Sequence, residues 1–218
     1  MVYSYNLNKN VNYMNNTFHV LIATIGKKSI LKQLDSLLDQ LSSRDYLTIV
    51  FDNTDIDNVY DKVTTYPFKC KYNIIMEPER LGAYGHGIRN KYNTLDGDFI
   101  LHADDDDFYK EGTFEIIRNI CINDETLYIF QMDRYVNDKY QIVPNINLSP
   151  IIRNGNIGTP CGIIPNHINS KGIWGSGHGG DCMFYTSIQQ HAKNIEYIDI
   201  IIYHYNYNDC WTKHKLHA

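Results

Sequence analysis

Four consecutive aspartates, Asp104, Asp105, Asp106 and Asp107, come directly after the apolar stretch Phe99-Ile100-Leu101-His102-Ala103. In extended chain, side chains alternate, so Asp104 and Asp106 are expected on the same side. Two carboxylates held within about 4 Å repel, and a divalent cation relieves the repulsion. Oxygen ligands favour Mg²⁺ or Mn²⁺, and a site with few protein ligands leaves room for phosphate oxygens. The competing reading is a solvated acidic turn before a helix near Glu111, favoured by the helix dipole. Placement directly after a buried strand argues for the cation.

The elements that must position these acids alternate along the first half of the chain. Phe18 to Ala23 is a short apolar run suited to a buried strand, and Tyr46 to Phe51, Tyr72 to Met76 and Phe99 to Ala103 read as the strands that follow. Between them, Ile30, Leu31, Leu34, Leu37, Leu38 and Leu41 recur at helical spacing behind a capping Ser29. Ile56 to Thr65 reads as a short helix, and Ala83 to Leu95 as another whose first turn is weakened by Gly85 and Gly87. This alternation predicts an α/β fold, a mostly parallel sheet with helices on both faces. Ligands of such sheets bind beyond the carboxyl ends of the strands. There stand Thr24-Ile25-Gly26, Asp52-Asn53, Glu77 with nearby Arg80, and the aspartate run, so small, acidic and basic groups converge on one edge.

The second half reads differently. A helix near Phe114 to Ile122 precedes a strand at Leu127 to Phe130 and a hairpin turn at Asn137-Asp138. A Gly/Pro/Asn-rich region runs from Pro144 to Gly180, then a helix from Cys182 to His191 and a strand from Ile195 to Tyr203. Residues 1–17 are polar and Asn-rich, expected as a loose tail, leaving 18–218 as one domain.

Composition narrows the function classes. With 43% hydrophobic and 21% charged residues, the 218-residue chain is a folded protein rather than a disordered one. A net charge of −5 gives nothing to balance a phosphate backbone, which argues against a nucleic-acid partner. Five cysteines without a C-x-x-C pair fit a reducing compartment better than a disulfide framework or zinc site. The first residues lack the pattern of a signal peptide, and no apolar run is long enough to span a bilayer, so a cytoplasmic location is expected.

Taken in order, these segments resemble a GT-A fold, family-2-like glycosyltransferase, over about Phe18 to Asn206. Phe18 to Thr24 with its leucine-rich helix resembles the family's opening, and Tyr46 to Asn53 its second strand, whose terminal Asp contacts the nucleotide base. Gly82 to Asn90, ending Ile88-Arg89-Asn90, is similar to the glycine-bearing loop and Ala-Arg-Asn helix. Phe99 to Asp107 is similar to the strand carrying the D-x-D motif, and Gly158 to Ile164 to the acceptor-side strand. Gly179-Gly180-Asp181 stands where the family usually has Glu-Asp, so Gly180 is a departure. Tyr203-His204-Tyr205-Asn206 matches the family's Tyr-Arg-x-His ending only loosely.

The resemblance implies a Rossmann-like nucleotide half, about 18–107, and a smaller acceptor half, about 108–218. It implies metal-dependent, inverting transfer of a sugar from a nucleoside diphosphate sugar, most commonly a UDP-sugar, to a hydroxyl of a glycan, glycoprotein or lipid carrier. Mn²⁺ or Mg²⁺ would sit on Asp106 and Asp104, with His204 either a further ligand or a core residue. Asp104 and Asp105 would border the donor, and Asp107 would cap the next helix or support the others. Asp181 is the candidate general base or, alternatively, a helix N-cap. Asp52 is a base contact or a turn-former, and Thr24 a nucleotide contact. Arg80 and Arg89 either pair with the diphosphate or brace the aspartates. Trp174 could stack on a sugar or simply pack, and the glycines around it suggest a mobile loop. Two other functions compete: a sugar-phosphate nucleotidyltransferase, which Ala23-Thr24-Ile25-Gly26-Lys27-Lys28 matches poorly, and a non-catalytic nucleotide-sugar-binding domain.

Overall fold

The structure, a computed structural model, describes residues 16–136 and 138–205. Most of the polar tail, Asn137 of the hairpin turn, Asn206 and Cys210 lie outside the described residues. β1 (Phe18–Thr24) is buried along its whole length, which explains an apolar sequence without polar alternation. Its two faces serve different layers. Phe18, Val20 and Ile22 pack with Ile30, Leu34 and Leu37 of α1 (Ile30–Leu38). Leu21 and Ala23 pack on the other face with Val50 and Ile88.

The chain continues through β2 (Tyr46–Phe51), α2 (Tyr60–Thr64), β3 (Lys71–Met76), α3 (His86–Lys91) and β4 (Phe99–Asp104). These strands lie parallel in the order β3-β2-β1-β4. Thr24 pairs with Phe51 and Ala23 with Asp104, so Thr24, Asp52 and Asp104 reach the same sheet edge. Next come β5 (Phe108–Tyr109), α4 (Thr113–Ile120), β6 (Thr126–Val136), β7 (Lys139–Val143), β8 (Gly162–Pro165), α5 (Asn166–Asn169), α6 (Gly180–Gln189) and β9 (Asn194–His204). They extend the sheet as β4-β8-β6-β9-β5, with β7 hairpinned onto β6. β8 runs antiparallel to β4 and β6, while β9 is parallel to β6. Among the described residues, no helix is long and apolar enough to cross a membrane, and Cys70, Cys121, Cys161 and Cys182 are free.

Several elements differ from their sequence-based expectation. The helix expected over Ile56 to Thr65 begins only at Tyr60. Asp55 accepts hydrogen bonds from the Val59 and Tyr60 N–H groups at 2.8 and 2.9 Å, while the Ile56 and Asp57 amides bond back to Ile25 and Gly26. The helix expected from Ala83 is confined to His86–Lys91, because Ala83, Tyr84 and Gly85 all have positive φ. Ser29 is itself helical and makes no side-chain cap. The strand expected to end at Phe130 extends to Val136, where the β7 hairpin supports it.

One buried acid ties the layers below the site. Asp45, fully buried, accepts hydrogen bonds from the Phe18 amide at 3.0 Å and from the Ser42 amide and hydroxyl at 2.7 Å each. It also pairs with Arg118 of α4. Asp45→Ala strands that cation and three donors, and the expected loss is about 3–5 kcal/mol in urea denaturation.

Candidate active site

The carboxyl ends of β1, β2 and β4 open into a cleft of about 790 Å³. Thr24, Asp52, Arg80, Asp104, Asp105, Asp106 and Asp181 all line it. Arg89 and His204, also singled out from the sequence, are not on its wall.

β4 ends at Asp104, and Asp105-Asp106 form a turn, so the strand alternation expected to align Asp104 with Asp106 stops at the first of them. All three nevertheless face the cleft, each held by a different partner. Asp104 Oδ1 accepts a 2.5 Å bond from Arg89. Asp105, almost buried, accepts from the Thr24 hydroxyl at 2.7 Å and the Ile25 amide at 3.3 Å. Asp106 pairs with Lys27 Nζ at 2.8 Å, and the same ammonium lies 3.5 Å from Asp105. Asp107 is buried and does not cap α4, whose N-cap is Gly112.

This crowding shows in the acidities. Burial pushes the Asp105 carboxyl above the usual carboxylate range, with Asp106 and Asp104 adding to the effect against Thr24 and Lys27. Asp104 is raised by burial as well, then by Asp181 and Asp106, against the pull of Arg89. Burial works against the charge on Lys27, yet its contacts with Asp106 and Asp105 outweigh that and raise its pKa. The wall is thus short of positive charge.

The opposite side is a loop pinned by Asp52. Its two carboxylate oxygens accept the Leu81 and Gly82 amides at 2.5 and 2.9 Å, which fixes the chain where φ turns positive at Gly82. Arg80, whose side chain is 70% exposed, stands 4.0 Å from Asp52. Arg89 is fully buried and reaches Tyr84 O at 3.2 Å and Ala103 O at 3.0 Å besides Asp104. Of its two expected uses, the structure places it as a brace. Close by, His102 donates from Nε2 to Asn169 Oδ1 at 2.8 Å, and burial, then the charge of Arg89, pulls its pKa down to about 3, so it is neutral.

Asp181 approaches from the far wall, in the first turn of α6. The N-cap is Gly179, so the capping role considered for Asp181 is not the one it has. Its Oδ1 accepts the Thr159 hydroxyl at 2.9 Å and stands 3.7 Å from His86 Nε2. A second cavity of about 280 Å³ adjoins here, bordered by Met132, Arg134, Gly158, Thr159, Asp181 and Tyr205. Trp174 packs inward: it is stacked on Phe184 at 4.1 Å, and its backbone is held at both polar atoms by Asn90. That makes it core rather than a sugar platform. His204 Nδ1 lies 2.6 Å from Asp133 Oδ1, on β9 beside β5.

Carboxylate oxygen is the donor chemistry of a hard divalent cation, and Asp104 and Asp106 are the partly exposed carboxylates of the run. Among the described residues, no group of three or more His, Cys, Asp or Glu side chains forms a cage. The donor set therefore fits a cation that completes its shell with water and ligand oxygens. Lys27, Thr159 and His86 were not singled out from the sequence. Lys27 had a signal, standing three residues beyond the first strand's end, but His86 and Thr159 meet Asp181 only through the fold.

The cleft thus joins an acid run at the end of β4 with Asp181 of α6 at the carboxyl edge of an α/β sheet. The chain belongs to glycosyl transferase family 2, whose model matches residues 20–179. Similar solved structures share its GT-A-type fold. S. aureus TarS 1–349 superposes with a TM-score of 0.68 at 18% identity, covering 86% of this chain and 60% of TarS 1–349. Its complex with UDP-GlcNAc gives 0.67 at 18%, covering 87% and 58%. The mannosyltransferase PcManGT from Pyrobaculum calidifontis, in complex with GDP-Man and Mn²⁺, gives 0.62 at 13%, covering 91% and 59%. The chain thus spans about 60% of the length of these neighbours. No curated protein sequence matches it.

Arg89→Lys removes the guanidinium fork that joins Tyr84, Ala103 and Asp104. The expected cost is about 1.5–3 kcal/mol per lost charged hydrogen bond, read as a lower Tm in thermal unfolding.

Proposed function

We propose that the chain transfers a sugar, with inversion, from a nucleoside diphosphate sugar to an acceptor hydroxyl of a glycan, glycoprotein or lipid carrier. The observation that carries this reading is that the Asp104–Asp106 turn and Asp181, from different elements, line a single cleft. UDP-sugars are the favoured donors, supported by the UDP-GlcNAc bound to S. aureus TarS, with the GDP-Man of PcManGT as the second class to test.

Thr24 and Asp52 border the nucleoside end. Each Asp52 oxygen already accepts one backbone amide and keeps a lone pair for a base N–H. Arg80, exposed at the rim, is free to swing onto the diphosphate. Asp104 and Asp106 would hold Mn²⁺ or Mg²⁺, which supplies Lewis-acid stabilisation to the departing diphosphate when bound. Lys27 offers a second positive charge at the same place. Asp105, clamped by Thr24 and Ile25, supports the turn between them.

Asp181 is the general base. Its carboxylate takes the proton of the acceptor hydroxyl while the acceptor oxygen bonds to the anomeric carbon. The bond to the diphosphate oxygen breaks on the opposite face, its electron pair leaving with the diphosphate, so the configuration inverts. The adjoining cavity beside Thr159 and Arg134 gives the acceptor its approach.

A panel of nucleotide sugars with Mn²⁺, assayed for released nucleoside diphosphate, tests the reading directly. Asp106→Ala should leave UDP binding by calorimetry with no dependence on Mn²⁺. Asp181→Asn should keep donor affinity while the rate falls by on the order of 10²-fold or more; full activity in that variant removes Asp181 as the base.

A further inference from the structure

The imidazole of His86 occupies the space that a side chain at position 180 would enter. A Cβ placed on Gly180 would come within 2.2 Å of His86 Cε1 and 2.3 Å of Nδ1. The ring is buried, 5% exposed, and lies nearly parallel to the indole of Trp174 at 5.2 Å. Its Nδ1 is 2.7 Å from Gly175 O. A carbonyl can only accept, so Nδ1 carries a hydrogen and Nε2 is the atom turned to Asp181 Oδ1, 3.7 Å away. A bare Nε2 lone pair facing a carboxylate is repulsive, whereas a protonated Nε2 makes the contact an ion pair.

We propose that His86 is the positioning residue for Asp181: lodged beside Gly180 and held by Gly175 O, it meets the carboxylate as its ion-pair partner and orients it together with Thr159. The proposal rests on the reading of Asp181 as the base. Asp181 shares its cleft with Asp52, Asp104, Asp105 and Asp106, so a partner that fixes its carboxylate keeps it aimed away from like charge. During transfer the acceptor's proton goes to Asp181 and His86 keeps its own. Around the ring stand Asp181 from α6, Tyr84, His178 across Tyr84, and Arg89 one turn along α3, which in turn pairs with Asp104 at the end of β4.

The pairing is tested without turnover by tracking the His86 Cε1–H resonance through a pH titration in NMR, assigned by its loss in His86→Asn. Asp181→Asn should lower the midpoint of His86 by about one unit or more; an unmoved midpoint overturns the pairing whatever Asp181 does in catalysis. The kinetic test uses the donor turned over in the panel with Mn²⁺. His86→Asn can still donate to Gly175 O but lacks Nε2. It should lose about tenfold in kcat with donor KM unchanged, and lose the alkaline limb of the pH profile. His86→Gln should recover most of kcat without recovering that limb. Gly180→Ala should cost activity by displacing the ring, yet add little in a His86→Ala background; additive losses overturn the proposal. Full kcat in His86→Asn alongside a crippled Asp181→Asn removes His86 and leaves the base standing. Full kcat in Asp181→Asn removes the base itself.

Discussion

The acidic wall of the cleft rests on one buried cation. Arg89 has no exposed surface, and its guanidinium joins three segments distant in sequence: the turn at Tyr84, the end of β4, and the Trp174 indole, which lies 5.1 Å beneath it. Its terminal nitrogens donate to a carboxylate and two carbonyls, which offsets the cost of burying the charge, while its Nε finds no acceptor. The carboxylate is Asp104, so the group that balances this buried charge also lines the cleft. The loop carrying positive φ at Ala83 and Tyr84, the strand end and the glycine-rich stretch before α6 therefore hold one geometry together.

That arrangement leaves the remaining acids undercompensated. Arg89 is committed to Asp104, and Lys27 is divided between Asp105 and Asp106. A diphosphate entering this cleft would meet more negative than positive charge unless a cation came with it. The modest net charge of −5 is thereby concentrated in part where the proposed cation would sit.

The sheet was legible in the sequence for a physical reason. Parallel strands covered on both faces must be apolar throughout, so Phe18 to Ala23 and Phe99 to Ala103 stand out without an alignment, and the residues just beyond each strand fall on one edge. Thr24, Asp52, Arg80 and the aspartates could be read from that rule alone. Helix limits were less legible, since the late start of α3 depends on positive φ at two non-glycine residues, Ala83 and Tyr84, which the Asp52 clamp helps hold. Ser29 looked like a cap yet continues the helix. For Trp174 the surrounding glycines do not tell exposure, so in the sequence a sugar platform and ordinary packing read alike. His86 and Asp181 are 95 residues apart and belong to different elements, so no local spacing announces their contact. Gly180 was visible as a departure from the family pattern, but only the structure shows the ring that leaves no room for a side chain there.

The first strand made is also the middle one of the parallel set. β1 pairs on one side with β2 and on the other with β4, where His19 faces Ile100, a partner 81 residues later. On a ribosome adding about 5–20 residues per second, that edge of β1 waits roughly 4–16 s for its neighbour. During the wait Val20, Leu21 and Ile22 present an unpaired, apolar strand edge, the kind of surface that invites association between nascent chains. The central place of β1, which lets Thr24 stand between Asp52 and Asp104, thus carries a cost during synthesis rather than in the finished fold.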